Sequence, residues 1–280
     1  MILGTLEQSL IFAFMVLGLY ISYKILDFPD LTVDGTFPLG ASVVAFSLVN
    51  GIDPIVAMIL ACIAGALAGF ITGYIHVKYN ISNLLSGIIV MTGLYSVNLR
   101  IMGRSNIPLF NINTIFTSGN TIIKILLLLI AVKLALDFIL KTKFGFALRA
   151  LGDNEVLLIS LGINEKNVKI IGLMLANSLV ALSGGIMAQY QGFSDIGMGT
   201  GTIITGLASI IIGESVFKET KFINMTLLVI LGSIIYKFII SITLTMGMNP
   251  GDLKLITSII VVAIMGSKNL KRKKGGVKLA

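Results

Sequence analysis

Lys141-Thr-Lys-Phe-Gly-Phe-Ala-Leu-Arg-Ala-Leu-Gly-Asp-Asn-Glu-Val156, running on to Leu161-Gly162-Ile163, is the stretch on which the reading of this chain turns. It gathers Lys141, Lys143, Arg149, Asp153, Asn154 and Glu155, whereas the sequence on either side is apolar enough to dissolve in a bilayer. Ionisable side chains at that density are too costly to leave in hydrocarbon. The stretch is therefore a polar island between two hydrophobic halves. A membrane-embedded body with so little soluble surface would offer it as the handle for a soluble partner.

The composition agrees. The 280 residues are 56% hydrophobic and 12% charged, with a mean hydropathy of +0.99. A soluble domain carries about 25% charged residues. Several apolar runs approach the roughly 20 residues that cross hydrocarbon as a helix. They are continuous, without the alternation of a membrane β-barrel. The expected fold class is an all-α polytopic transmembrane helical bundle with short broken or re-entrant helices. One transmembrane domain is expected over 1–267: a first half to about 140, the island over about 141–167, and a second half from 168. A basic tail covers 268–280.

The net charge of +8 does not read as nucleic-acid binding, because much of it lies in that tail (Lys268, Lys271, Arg272, Lys273, Lys274 and Lys278). Basic residues flanking a span mark its cytoplasmic side, and the same residues suit anionic headgroups of the lipid bilayer. The start of the chain has Glu7 in place of a basic n-region, so Leu6–Leu26 reads as a retained span.

Other spans are expected at Ile55–Val77, Leu84–Met102, Ile122–Leu140, Val168–Tyr190, Phe222–Met246 and Leu253–Met265. Two apolar runs, Ala41–Val49 and Thr202–Ile212, are too short to cross unaided. Each follows a Gly/Thr/Asp-containing loop and carries Ala-Ser, at Ala41-Ser42 and Ala208-Ser209. Interrupted helices at matching places in two halves are a mark of transporters, so an internal two-fold repeat is expected. An even number of apolar segments after the island puts island and tail on one side. The side of the N-terminus stays open: inside if the Ala41 run is re-entrant, outside if helix from Pro38 carries it across.

Few residues invite chemistry. Gly184-Gly185 lacks the lysine of a phosphate-binding loop. Cys62 and His76 are the sole residues of their types, which leaves neither a disulfide framework nor a thiolate metal site. No cofactor and no catalytic residues are expected. Asp34, in Asp34-Gly35-Thr36, lies beside a short run, where an ionisable group is costly and tends to serve function. It reads either as part of a translocation pathway with Gly35 and Thr36, or as a cap for the helix at Pro38. Asn83 and Ser86, at the start of a span, are further pathway candidates; Ser86 and Asn98 also suit hydrogen bonds between helices. Glu214 reads as a helix-end charge paired with Lys218. Gly65, Gly69 and Gly73, spaced four apart, form a smooth stripe for close helix packing.

The island also carries a pattern. Phe144-Gly-x-x-Leu-Arg149-Ala150-x-Gly152-x-Asn154, followed by Leu161-Gly162-Ile163, resembles the coupling loop of ABC-importer permeases of the branched-chain amino acid and ribose type. Leu31-Thr-Val-Asp-Gly-Thr-Phe-Pro-Leu-Gly-Ala41 resembles the tryptophan/tyrosine-type subfamily of bacterial permeases. The resemblance implies a non-catalytic subunit in the plasma membrane, forming the path for a small solute, an amino acid foremost, with the aromatic ones among the candidates. It also implies three partners: an ABC ATP-binding subunit, an extracytoplasmic solute-binding protein, and a second permease copy in a homodimer. The coupling residues would be Arg149, Ala150, Gly152, Asp153, Asn154, Gly162 and Ile163, with Gly152-Asp153-Asn154 ending one short helix and starting the next. The competing class is an ion- or proton-coupled secondary transporter, for which the spans show no clear acidic relay.

Overall fold

The computed structural model describes residues 2–217, 224–247, 250–252, 255, 257–259 and 262. The basic tail, Lys218 and most of the expected last span lie outside them. Ten α-helices are described: α1 (Ile2–Leu19), α2 (Val33–Val49), α3 (Pro54–Tyr79), α4 (Asn83–Met102), α5 (Thr121–Lys141), α6 (Lys143–Asp153), α7 (Glu155–Ser160), α8 (Glu165–Gln191), α9 (Thr202–Val216) and α10 (Met225–Thr245). A π-helical turn, Tyr20–Ile25, extends α1. Among the described residues six helices are long and apolar enough to cross a bilayer: α1 with its π turn, α3, α4, α8, α9 with the 3-10 turn before it, and α10. Helix α5 has the length as well, and its charged pair is satisfied in place: Lys133 meets Asp137 at 2.6 Å, and Thr226 donates to the same carboxylate at 2.6 Å.

From Leu10 onward helix α1 is apolar all round and buried on nearly every side, with Ile11, Ala13, Phe14, Met15, Val16 and Leu17 at 0% exposure. It forms the core with α8. The third helix of each half packs on the first of the other, α3 on α8 and α10 on α1. The α1–α10 contact is held by polar groups: Thr5 and Ser241 hydroxyls lie 2.8 Å apart, and Ser233 donates to the Ser9 carbonyl. At the end away from the island, Tyr190 donates to Glu7 at 2.9 Å. The start of α1 therefore lies at the end of the bundle opposite the island. That end also carries two three-residue strands that the sequence reading leaves as loop, β1 (Asn106–Pro108) and β2 (Phe193–Asp195), paired antiparallel.

Small residues bring the backbones together. A Cβ on Gly65 or Gly69 would meet the carbonyl oxygens of Asn177 and Leu173 in α8, at 2.4 and 2.2 Å, and one on Gly73 would meet Ile170 at 3.0 Å. Between α2 and α8 the crossing is tighter: a Cβ on Gly40 would fall 1.9 Å from the Ala181 carbonyl oxygen, and one on Gly184 1.9 Å from that of Phe37. Gly184→Val should therefore cost about 3 kcal/mol, the upper end for overpacking. The expected result is loss of the monodisperse peak in detergent size exclusion. Gly93→Ala, with nothing within 4 Å of the added carbon, should leave that peak unchanged.

Candidate functional site

The island folds as two short helices at one end of the bundle. Thr142 caps α6, its hydroxyl accepting from the Gly145 amide. Asn154 both ends α6 and caps α7, its Oδ1 accepting from the Val156 amide at 3.0 Å. The break thus falls at the Gly152-Asp153-Asn154 step. Gly162 adopts φ +72° after α7, a conformation that suits glycine, and turns the chain into α8.

One face of α6 is anchored. Leu148 and Leu151 are buried, and a Cβ on Gly152 would lie 2.0 Å from the Ile25 carbonyl oxygen, at the last residue of the π turn. The other face is open: Arg149, Asp153 and Asn154 are exposed, and Ala150 is half-buried. Helix α7 inverts the usual logic of a surface. Leu158 is sealed at 0%, while Val156 (70%), Leu157 (48%), Ile159 (55%) and Leu161 (65%) stand exposed around it, and Ile163 lies at the rim. These side chains form an exposed apolar patch on an otherwise polar segment. Lys169 ties α7 back to the bundle, 3.4 Å from Glu155 and 3.4 Å from His76 Nε2.

From the island a chain of contacts leads inward. Gly172 and Leu148 close over Leu26. Residues 26–32 then run into the bundle without helix to a buried polar cluster. Asp30 is fully buried; it accepts from the Thr32 amide at 2.9 Å and from Asn177 Nδ2 at 2.7 Å. Thr36 donates to Asn177 Oδ1 at 2.9 Å, and the Thr32 and Thr72 hydroxyls lie 2.8 Å apart. Helices α2, α3 and α8 are joined here. Sequence alone passes over Asp30 and Asn177, although a lone amide in the middle of an apolar span was the available signal.

Asp34 sits in the first turn of α2, and its carboxylate caps a helix of the other half. It accepts from the amides of Gly201 (2.9 Å) and Ile203 (2.8 Å) and from the Thr202 hydroxyl (2.9 Å) at the start of α9. Pro38 has no N–H to offer the Asp34 carbonyl. A Cβ on Gly199 would fall 2.1 Å from that carbonyl oxygen, so the turn before α9 is seated against it. Two short helices, one from each half, therefore meet N-terminus to N-terminus with Asp34 between them. Gly35 is buried against α4, where its carbonyl accepts from Asn98 at 3.1 Å. Ser86 is buried and bonds to the Asn83 carbonyl of its own helix. Asn83 borders a cleft of about 270 Å³ beneath Gly152 and Asn154. Glu214, at the island end of α9, pairs with Lys24 of the π turn after α1 at 2.8 Å; the expected partner Lys218 lies outside the described residues.

The sequence pattern of the family "Branched-chain amino acid transport system / permease component" matches residues 1–265. A "Tyrosine transport system permease protein" of Clostridioides difficile is 51% identical over 99% of this chain and 95% of its own length. An uncharacterised protein of Rickettsia prowazekii is 37% identical over 95% of this chain and 97% of its own. Among solved structures, PsaBC from Streptococcus pneumoniae, in complex with Fab, shares the fold at a TM-score of 0.55 and 15% identity, over 93% of this chain and 89% of that one. The chain belongs to the branched-chain amino acid transport-system permease family, as the multi-pass permease component of an ABC transporter.

Proposed function

We propose that this permease imports an aromatic amino acid, tyrosine foremost, as a homodimer. Two ATP-hydrolysing subunits dock at the island end and a solute-binding protein docks at the far end. The observation that carries the reading is the α6–α7 tip, where exposed Val156, Leu157, Ile159 and Leu161 surround an anchored Leu158. The choice of tyrosine rests on the relative that is 51% identical. The island end is the cytoplasmic one, since Lys141, Lys143, Arg149 and the basic tail belong there by charge. A second copy follows from stoichiometry, because one chain supplies one island for a pair of ATPases.

The mechanism is a lever. Closure of the ATPases displaces α6, which is keyed to the end of α1 through Gly152 and the Ile25 carbonyl. Residues 26–36 carry that movement to the junction of α2 and α9, where rigid halves tip between two states. Asp34, Gly35 and Thr36 shape the pathway by holding this junction, and Asn83 and Ser86 flank its island end. Proteoliposomes holding the permease, its ATPase and the binding protein test the reading. Labelled tyrosine should accumulate with ATP inside, and a proton or sodium gradient alone should drive none. Gradient-driven uptake without ATP would overturn it in favour of ion coupling.

A further inference from the structure

Between α9 and α10 lies a cavity of about 240 Å³, the scale of one amino acid rather than of a drug-sized ligand. Ile204 and Ile240 give it apolar walls, Thr205 and Tyr236 supply hydroxyls, and Lys237 projects from midway along α10. Tyr236 is fixed by a 2.8 Å contact with Thr257. The Lys237 ammonium lies 3.4 Å from the centroid of the Phe12 ring, which itself stacks on Phe37. No carboxylate pairs with it among the described residues; the ion pairs there are Lys24–Glu214, Lys133–Asp137 and Lys169–Glu155. Asp34, at the edge of the same region, is committed to Gly201, Thr202 and Ile203.

An ammonium in the middle of a spanning helix is costly, and such groups normally face a carboxylate or a pathway. An aromatic face compensates only part of that cost. Among the described residues the element not supplied is an anion, and the cavity beside Lys237 has the room, the apolar walls and the hydroxyls to receive one that is attached to a small apolar body. We propose that this cavity is a station for the imported solute. Lys237 pairs with the solute's carboxylate while Ile204 and Ile240 contact its side chain. Lys237 is then a specificity-determining residue. The proposal rests on the reading of the chain as an amino-acid permease, and names the group that selects the solute inside the membrane.

Saturation-transfer NMR on the purified permease–ATPase complex in nanodiscs, without binding protein, tests it directly. Tyrosine and 4-hydroxyphenylpropionate carry the carboxylate, and tyramine lacks it. The first two should show saturation about tenfold above tyramine, the effect of one charge-assisted contact. Lys237→Met should bring all three to the tyramine level, and Lys237→Arg should restore the difference. Phe12→Leu, which removes the ring and leaves the ammonium, should preserve it. Equal signals for the three compounds in the unaltered complex, or an unchanged preference in Lys237→Met, would overturn the assignment. ATP-driven tyrosine uptake is measured in parallel: its persistence alongside either of those results would sink the station while leaving the import function standing. Its absence from the unaltered system would sink the import function instead.

Discussion

Leu157→Asp combined with Ile159→Asp should abolish ATP-driven uptake and leave the permease folded in the membrane. Both side chains stand on the open side of α7, at 48% and 55% exposure, and neither helps to hold the island in place. That task falls to Leu148, Leu151 and Leu158 beneath. Apolar anchors at the centre of an interface are worth about 2 kcal/mol each, and a buried, unpaired carboxylate costs more than the lost contact. The two changes together should weaken ATPase binding by roughly a thousandfold. Co-purification of the ATPase is the direct readout, and uptake should fall to background with it. Leu127→Ala, on the outer face of α5 at 62% exposure, changes a side chain just as apolar and as exposed but remote from the island, and should do neither. Retained co-purification in the double variant would remove the docking role from α7.

The contrast between these positions shows what could be read from the sequence. The island was legible because its signal is local: charges clustered in an apolar chain, a helix break at Gly152-Asp153-Asn154, and a glycine after α7. The spans were legible because hydropathy over some 20 residues is a strong cue. Pairings across the chain were not. The partners of Asp34 are Gly201, Thr202 and Ile203, and no local pattern in either segment specifies that meeting. The same holds for Asp30 with Asn177 and for Glu214 with Lys24. In the case of Glu214 the nearest lysine in sequence, Lys218, lies outside the described residues, and the fold brings in Lys24, 190 positions away in sequence, at 2.8 Å. The two short runs read as helices too short to cross unaided. Their shortness acquires a meaning only when they abut, since each then starts inside the bundle with its amide groups in need of an acceptor.

Asp34→Ala should loosen the junction of the two halves at its centre. The carboxylate accepts two amide hydrogens and one hydroxyl from the first turn of α9, at 2.8 to 2.9 Å. Bonds to a charged acceptor are worth about 1.5–3 kcal/mol each. Removing the acceptor strands the Gly201 and Ile203 amides at a helix end that has no side-chain cap of its own. Allowing for water that reaches this half-buried site, the loss should be about 3 kcal/mol, seen as a lower melting temperature in detergent. Asp34→Asn separates two roles. An amide whose oxygen takes the place of Oδ1 can still accept from Thr202 and Ile203, but its NH2 then faces the Gly201 amide, so it should recover only part of the stability. If Asp34 serves as the joint between the halves, ATP-driven tyrosine uptake should fall in proportion to the lost stability across Ala, Asn and Glu variants. Thr202→Val, which removes one donor from the same joint, should lie on that line. A variant with full stability and no uptake would instead make Asp34 a group that meets the solute, and the joint would then have to be sought in the Asp30–Asn177 cluster below it.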